Sequence, residues 1–387
     1  MERAAGYPNL HILYLRSQFI NYQSSGRFVA HMKFIPSFRL LIPLSCIILL
    51  GQGCFGGGDG TAAKGPDGGV WKTSDRGQSW AQKRVLLKGA QAVSLGNDVI
   101  VCLAADPQDH NTIYAGTAER GLIFTLDGGD SWQEAQAAPK GRIESAAVDP
   151  KDKCTVYVTM KNKIYKTENC SRDWEEIFFD PKTDKTFTAV SVDWFNSTIV
   201  YAGTSEGDIF KSTDAGLSWL VSKRADARIT DIEIDPEDSR VVYAGAYGDG
   251  IWKTMDGGNT WVRIRDQLKE FQNARRVLGL RVDRQDPELL YLVSEYGILR
   301  SRDRGETWEA LELTSQPNAV DITGFDVNPR NSEEITYVTE NTLMTSSDRG
   351  VTWNSQRLPS ARNASAMLLD AEDGKTVYVG FGPEPKD

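Results

Sequence analysis

One eight-residue unit recurs along this chain and limits what it can fold into. In Ser212-Thr213-Asp214-Ala215-Gly216-Leu217-Ser218-Trp219, the Asp214 carboxylate is placed to accept hydrogen bonds from the amides of a tight turn. Gly216 supplies a positive φ that a β-carbon would penalise. Trp219 opens the returning strand with a large apolar surface. The unit reads as a turn between two antiparallel strands. It recurs as Thr73–Trp80, Thr125–Trp132, Thr254–Trp261, Ser301–Trp308 and Ser346–Trp353, with aspartates Asp75, Asp127, Asp256, Asp303 and Asp348 matching Asp214. A worn seventh copy, Thr167–Trp174, has Asn169 and Ser171 where Asp and Gly are expected. The seven tryptophans stand 42 to 52 residues apart, a period that marks a repeat architecture.

Two further marks share the period. A tyrosine recurs at Tyr114, Tyr157, Tyr201, Tyr243, Tyr291, Tyr337 and Tyr378, and an Asp/Asn-Pro turn at Asp106, Asp149, Asp235 and Asn328. The clearest copy holds four strands: Ile229–Ile234, which alternates apolar and polar residues, then Val241–Gly245, Ile251–Thr254 and Trp261–Ile264. The fold class expected is all-β: a seven-bladed β-propeller of four-stranded antiparallel blades over residues 68–383. The first repeat lacks its first two strands, and the last segment, Ala364–Leu369 and Thr376–Gly380, has only those two. The C-terminal pair is expected to join the N-terminal pair in one blade, closing the ring and leaving few exposed edges.

Ahead of the repeats, residues 1–31 show no periodicity and read as a mis-assigned or disordered start. From Met32 the chain carries basic Lys33 and Arg39, an 11-residue apolar run from Leu40 to Leu50, and Gly51-Gln52-Gly53-Cys54. That order is a signal peptide over 32–53, since eleven residues are too few to span a bilayer. A glycine-rich tether fills 54–67, and 384–387 form a tail. Overall, 44 basic side chains face 53 acidic ones. Residues 1–53 hold five and one of these, which leaves 39 against 52, net −13, for the rest. Such an acidic body argues against nucleic acid as the main partner.

The end of the signal resembles a bacterial lipoprotein signal, which implies lipidation of Cys54. A plain secretory signal, a plastid transit peptide and an uncleaved anchor are the other readings. Ser/Thr-x-Asp-x-Gly-x-Ser/Thr-Trp resembles the Asp-box of sialidase-like, or BNR-repeat, propellers. Together with Asp-Pro and Tyr-Ala-Gly at this spacing, the chain is similar to seven-bladed propellers of the photosystem II stability and assembly factor family, and to sortilin and xyloglucanase propellers. The resemblance implies an exported, non-enzymatic binding protein, in its most concrete form an assembly factor for a membrane complex. A glycan-binding protein or glycoside hydrolase is the alternative. The sialidase Phe-Arg-Ile-Pro motif is missing, and xyloglucanases of this kind hold substrate between two propellers.

The Asp turns and the ligand-binding loops of a propeller lie on opposite faces, so the six turn aspartates read as structural. On the other face, Arg142, Arg228, Arg276 and Arg362 each open a first strand. First strands line the central channel, so these arginines are expected around its mouth, where their forks suit carboxylates of a protein or other macromolecular partner. Salt bridges to acids of neighbouring loops, such as Asp208, Asp249 and Glu295, are the competing reading. With three histidines in all, no catalytic triad, metal site or cofactor is expected, and the protein is expected to be a monomer. Cys154 lies in a turn between first and second strands and Cys170 in the worn turn of the same blade. The second and third strands pair antiparallel, so a disulfide between the two is expected.

Overall fold

The computed structural model describes residues 66–385. The expected start, signal and Cys54 lie outside them. The described strands form seven sheets, one per blade. In the fifth blade, Ile229–Ile234 pairs with Val242–Ala246, which pairs with Gly250–Thr254 and then Val262–Ile264, all antiparallel. Each blade's first strand packs against the first strand of the next, from Ile100–Asp106 round to Ala364–Leu369 and back to Ile100–Asp106. The first strands therefore surround a central channel. The second strands, pressed between neighbouring blades, are buried along their whole length in blades four, five and six.

The Tyr-Ala-Gly motif has two physical jobs here. Its glycine lets the next blade come close: a β-carbon on Gly203 would lie 2.4 Å from Ile229 Cγ2, and one on Gly245 would lie 2.6 Å from Val277 Cγ1. Its tyrosine reaches across the blade boundary. Tyr157, Tyr201 and Tyr378 donate to the carbonyls of Ala215, Gly257 and Gly128, at 3.1, 2.9 and 3.1 Å. Each of those carbonyls belongs to the residue after the turn aspartate in the following blade. A third-strand cation converges on the same atom: Lys166 on Ala215, Lys211 on Gly257 and Lys72 on Gly128, at 3.0, 2.6 and 3.1 Å. Lys253 and Arg300 do likewise with Arg304 and Arg349.

The ring closes between the chain ends. The first blade pairs Ala81–Lys83, Val70–Thr73, Val377–Phe381 and Ala364–Leu369 in that order, with Val70 opposite Gly380 and Thr73 opposite Val377. Arg362 is the fastening. It does not stand at the channel mouth: its side chain is 3% exposed and pairs with Asp67 at 3.2 Å and Glu384 at 2.7 Å. Its Nη1 also reaches the Asn97 and Gly382 carbonyls. Burial of a guanidinium requires such partners, and Asp67 and Glu384, assigned to tether and tail, supply them.

Two blades depart from the repeat. The second gains a hairpin, Val85–Lys88 with Gln91–Ser94, whose first strand runs parallel to Trp132–Glu134 and makes a six-stranded sheet; four strands were expected there. The third carries the worn turn, where Cys170 and Ser171 both adopt positive φ, 59° and 66°. Side chains there are strained without glycine. Asn169 keeps part of the turn by accepting from the Asp173 amide at 3.0 Å. Cys154 and Cys170 meet in disulfide contact, Cα atoms 3.9 Å apart, and the Cys170 amide donates to the Cys154 carbonyl at 3.1 Å.

Two outcomes are expected. Deleting residues from Ala364 onward should abolish the cooperative melt, because Val70–Thr73 and Ala81–Lys83 are then left without the inner half of their blade; circular dichroism melts of the truncated chain check this. Non-reducing peptide mapping of exported protein should recover Cys154 and Cys170 in one linked fragment, with reduction costing about 3 kcal/mol for a loop of this size.

Candidate functional site

The upper mouth of the channel is built by a repeated irregularity. In six of the seven blades the pairing of first and second strands shifts at the second residue of the first strand. A bulge of this kind re-aims a side chain. The bulged residues Val101, Thr188, Thr230, Leu278 and Ser365 line a cavity of about 500 Å³ with Arg142, Glu144, Arg228 and Tyr247. The hydroxyls of Thr230 and Ser365 are tied to the Gly245 and Ile100 carbonyls, which fixes the floor.

Arg142 and Arg228 thus share one cavity. Arg142 is bound to Glu144 at 2.8 Å. Arg276 is held by Glu295 at 2.6 Å, and the Tyr247 hydroxyl donates to the same carboxylate. Glu295 sits between the two and is held below the usual carboxylate range, chiefly by the Tyr247 hydrogen bond and then by Arg276. Arg228 is exposed, and among the described residues it has no ion-pair partner. The other candidate acids are engaged elsewhere: Asp208 with buried Lys185, and Asp249 with Arg263 and Arg265.

The turn aspartates face away and are fully occupied. Asp75 accepts from the Thr73 hydroxyl and from the amide and hydroxyl of Ser79 at 2.7, 2.9 and 2.6 Å. Hydrogen bonds of this set, led by the hydroxyl four residues on, hold Asp75, Asp256 and Asp348 down to about 2. Among the described residues no three His, Cys, Asp or Glu side chains gather as a metal site would require.

Deeper in the channel lies a charge cluster that the arginine pattern did not reveal. Glu233, Arg281 and Asp326 occupy the fifth position of the first strand in three consecutive blades. Arg281 pairs with Glu233 and, at 3.2 Å, with Asp326. Asp231 accepts from the Leu280 amide at 3.0 Å. Below them Arg284 stacks on Trp194, its guanidinium carbon 4.1 Å from the ring centroid, at the edge of a cavity of about 240 Å³. The sequence did carry a sign of this: period-2 alternation turns these polar residues away from Ile232, Ile234 and Val282 and into the channel. Three carboxylates face two guanidiniums, so one negative charge is in excess. Glu233 keeps 15% of its side chain exposed to the channel yet is hemmed in on all sides. Burial pushes it up to about 7. Arg281 opposes this, and Asp231 adds to it.

Nothing among protein-family models or curated proteins matches the chain. Solved structures do. The GH74 enzyme of Niastella koreensis superposes with TM-score 0.59 at 17% identity, over 74% of this chain and 51% of its own length. YCF48 bound to D1 peptide matches with TM-score 0.57 at 16% identity, over 74% and 94%. YCF48 from Cyanidioschyzon merolae gives 0.56 at 14%, over 74% and 96%. The chain spans about half the length of the GH74 structure. At such identities the likeness establishes a shared fold: a seven-bladed propeller distantly resembling both xyloglucanase-like and assembly-factor-like proteins.

Folding lets Glu233 keep its proton to a pH at which the unfolded chain has already lost it. Stability is therefore expected to fall as pH rises from about 4.5 through about 7, because the unfolded state binds fewer protons there. Glu233→Gln stays neutral and removes that slope. In paired thermal melts from pH 5 to 8, the variant should gain on the wild type and the gap should level off above neutrality; a constant gap would contradict the assignment.

Proposed function

We propose that this protein is an exported binding propeller, anchored through a lipid on Cys54, which captures an anionic segment of a protein partner at the upper channel mouth. The observation that carries the reading is Arg228: an exposed guanidinium without an ion-pair partner among the described residues, in the same cavity as Arg142 and beside the Tyr247–Glu295–Arg276 set. An unpaired cation at the mouth focuses an anionic partner on a body of net charge −13. A planar guanidinium takes a carboxylate in two parallel hydrogen bonds. The YCF48 structure with a bound peptide supports a peptide ligand for this shape of propeller, and an assembly or stability role in a membrane complex is its most concrete form. A glycosidase is the second reading, favoured by Glu233, whose raised pKa suits a general acid. Its neighbour Asp326 is already spent on Arg281, which counts against it.

Arg142→Ala, Arg228→Ala and Arg276→Ala combined should weaken capture of a partner from native membrane extract, with Arg228→Ala supplying the largest share. Each charge-assisted hydrogen bond to the partner is worth about 1.5–3 kcal/mol. The melting temperature should hardly change, since all three side chains are half-exposed or more. Undiminished capture, or a large loss of stability, would favour a purely structural role. Hydrolysis of xyloglucan or a sialylated oligosaccharide by the wild type, abolished in Glu233→Gln, would overturn the binding reading in favour of the enzyme.

A further inference from the structure

The second blade carries two departures that meet at one place. At the third-strand position where five blades present a cation to the next turn, this blade has Phe124. Beyond its outer strand it adds the Val85–Ser94 hairpin, which the ring does not need for closure. Between this sheet and the worn turn of the third blade runs a groove of about 1230 Å³, larger than a typical small-molecule pocket. Its apolar wall is formed by Tyr114 and Phe124, ring centroids 5.9 Å apart, with Leu87 and Leu126 at 39% and 57% exposure.

The rim is basic. Lys88 and Lys140 approach Glu134 at 3.1 and 3.3 Å, and Arg120, paired with Asp98 at 2.9 Å, reaches the same carboxylate at 3.0 Å, so Lys88 and Lys140 add to an acid that is already engaged. Across the groove, Lys153 and Arg172 are exposed and without ion-pair partners among the described residues. Asp109 spends its carboxylate on the Asn111 amide and the Thr112 hydroxyl. The lining holds Lys88, Lys140, Lys153 and Arg172 against Asp106, Asp109 and Glu134, and Asp106 is buried at 2% exposure, so the accessible rim is locally cationic, with apolar anchors, on an acidic protein.

We infer that this groove is a second docking site, independent of the channel mouth, for an extended peptide that presents an apolar side chain flanked by Asp or Glu. Large side chains seat against Phe124 and Leu126, while the flanking carboxylates meet Lys153 and Arg172 on one side and Lys140 on the other. The same charges repel basic peptides.

An array of octapeptides with acetylated and amidated ends tests this, because blocked ends remove any terminal carboxylate. The labelled wild-type protein should select sequences with Leu, Phe or Ile between acidic residues, and selection should fade with salt. Lys153→Glu with Arg172→Glu, and separately Leu87→Ser with Leu126→Ser, should each lower the signal roughly tenfold, as expected for reversed charges and for a smaller apolar surface. All four side chains are exposed, and melts confirm that the variants fold. Acidic peptides without a large apolar residue report the mouth, so the triple arginine variant should lose those while still selecting the apolar-anchored set. Selection of basic peptides, no selection at all, retention by both groove variants, or failure of the mouth variant to select the apolar-anchored set would each overturn the inference.

Discussion

The bond that joins one blade to the next is the interaction the rest of the structure depends on. A turn aspartate accepts hydrogen bonds from the residues that follow and pins two successive positive-φ residues, as at Ala215 and Gly216. The first of these turns its carbonyl toward the preceding blade, where a buried tyrosine and a third-strand lysine donate to it together; in the sixth blade Arg300 donates alone. The cation also sits over the tyrosine ring, at 5.1 Å for Lys72 and Tyr378 and 5.4 Å for Lys166 and Tyr157. A buried lysine with neither carboxylate nor carbonyl would be costly. Here the carbonyl, which the turn itself does not use, and the ammonium satisfy each other. Asp turn, tyrosine and lysine are thus one device spread over two blades, which is why they keep a common period.

Two boundaries lack the cation of this device. Between the second and third blades the cation is replaced by Phe124 and the aspartate by Asn169; the Cys154–Cys170 link lies within the third blade, where it holds the worn turn itself. Between the seventh and first, the third-strand position is Thr345, and Arg76 in the first blade's turn reaches Glu334 at 2.6 Å instead. That blade also holds the chain ends, which the shared sheet and the Arg362 latch tie together.

The fold was legible because its marks are local: a turn needs its Asp and Gly within a few residues, and the tyrosine repeats in step. The candidate site was legible in part. Arg142, Arg228 and Arg276 surround the mouth because each precedes a first strand by one to three residues. Arg362 shares that position but not its fate, since its partners Asp67 and Glu384 lie at opposite ends of the fold and are brought to it only by ring closure. The Val85–Ser94 hairpin carried no mark either. Its short strands sit in what reads as a linker, and its parallel pairing with Trp132–Glu134 joins Leu86 to Trp132, far apart in the chain.

The channel is where this architecture leaves the chain free. The repeated tyrosine–cation bond runs through the second and third strands and the outer turns, so the inward-facing positions of the first strands are not held to the repeat's residue types. Their occupants vary accordingly: Glu233, Arg281 and Asp326 in three blades, but Ala147, Ser191 and Leu368 at the corresponding positions of others. The GH74 enzyme and the two YCF48 structures each share this ring with the present chain at 14–17% identity, so the ring itself leaves such positions open to change. In this chain the positions the ring does not require include Arg228, which has no ion-pair partner among the described residues, and Glu233, whose carboxyl burial pushes up to about 7.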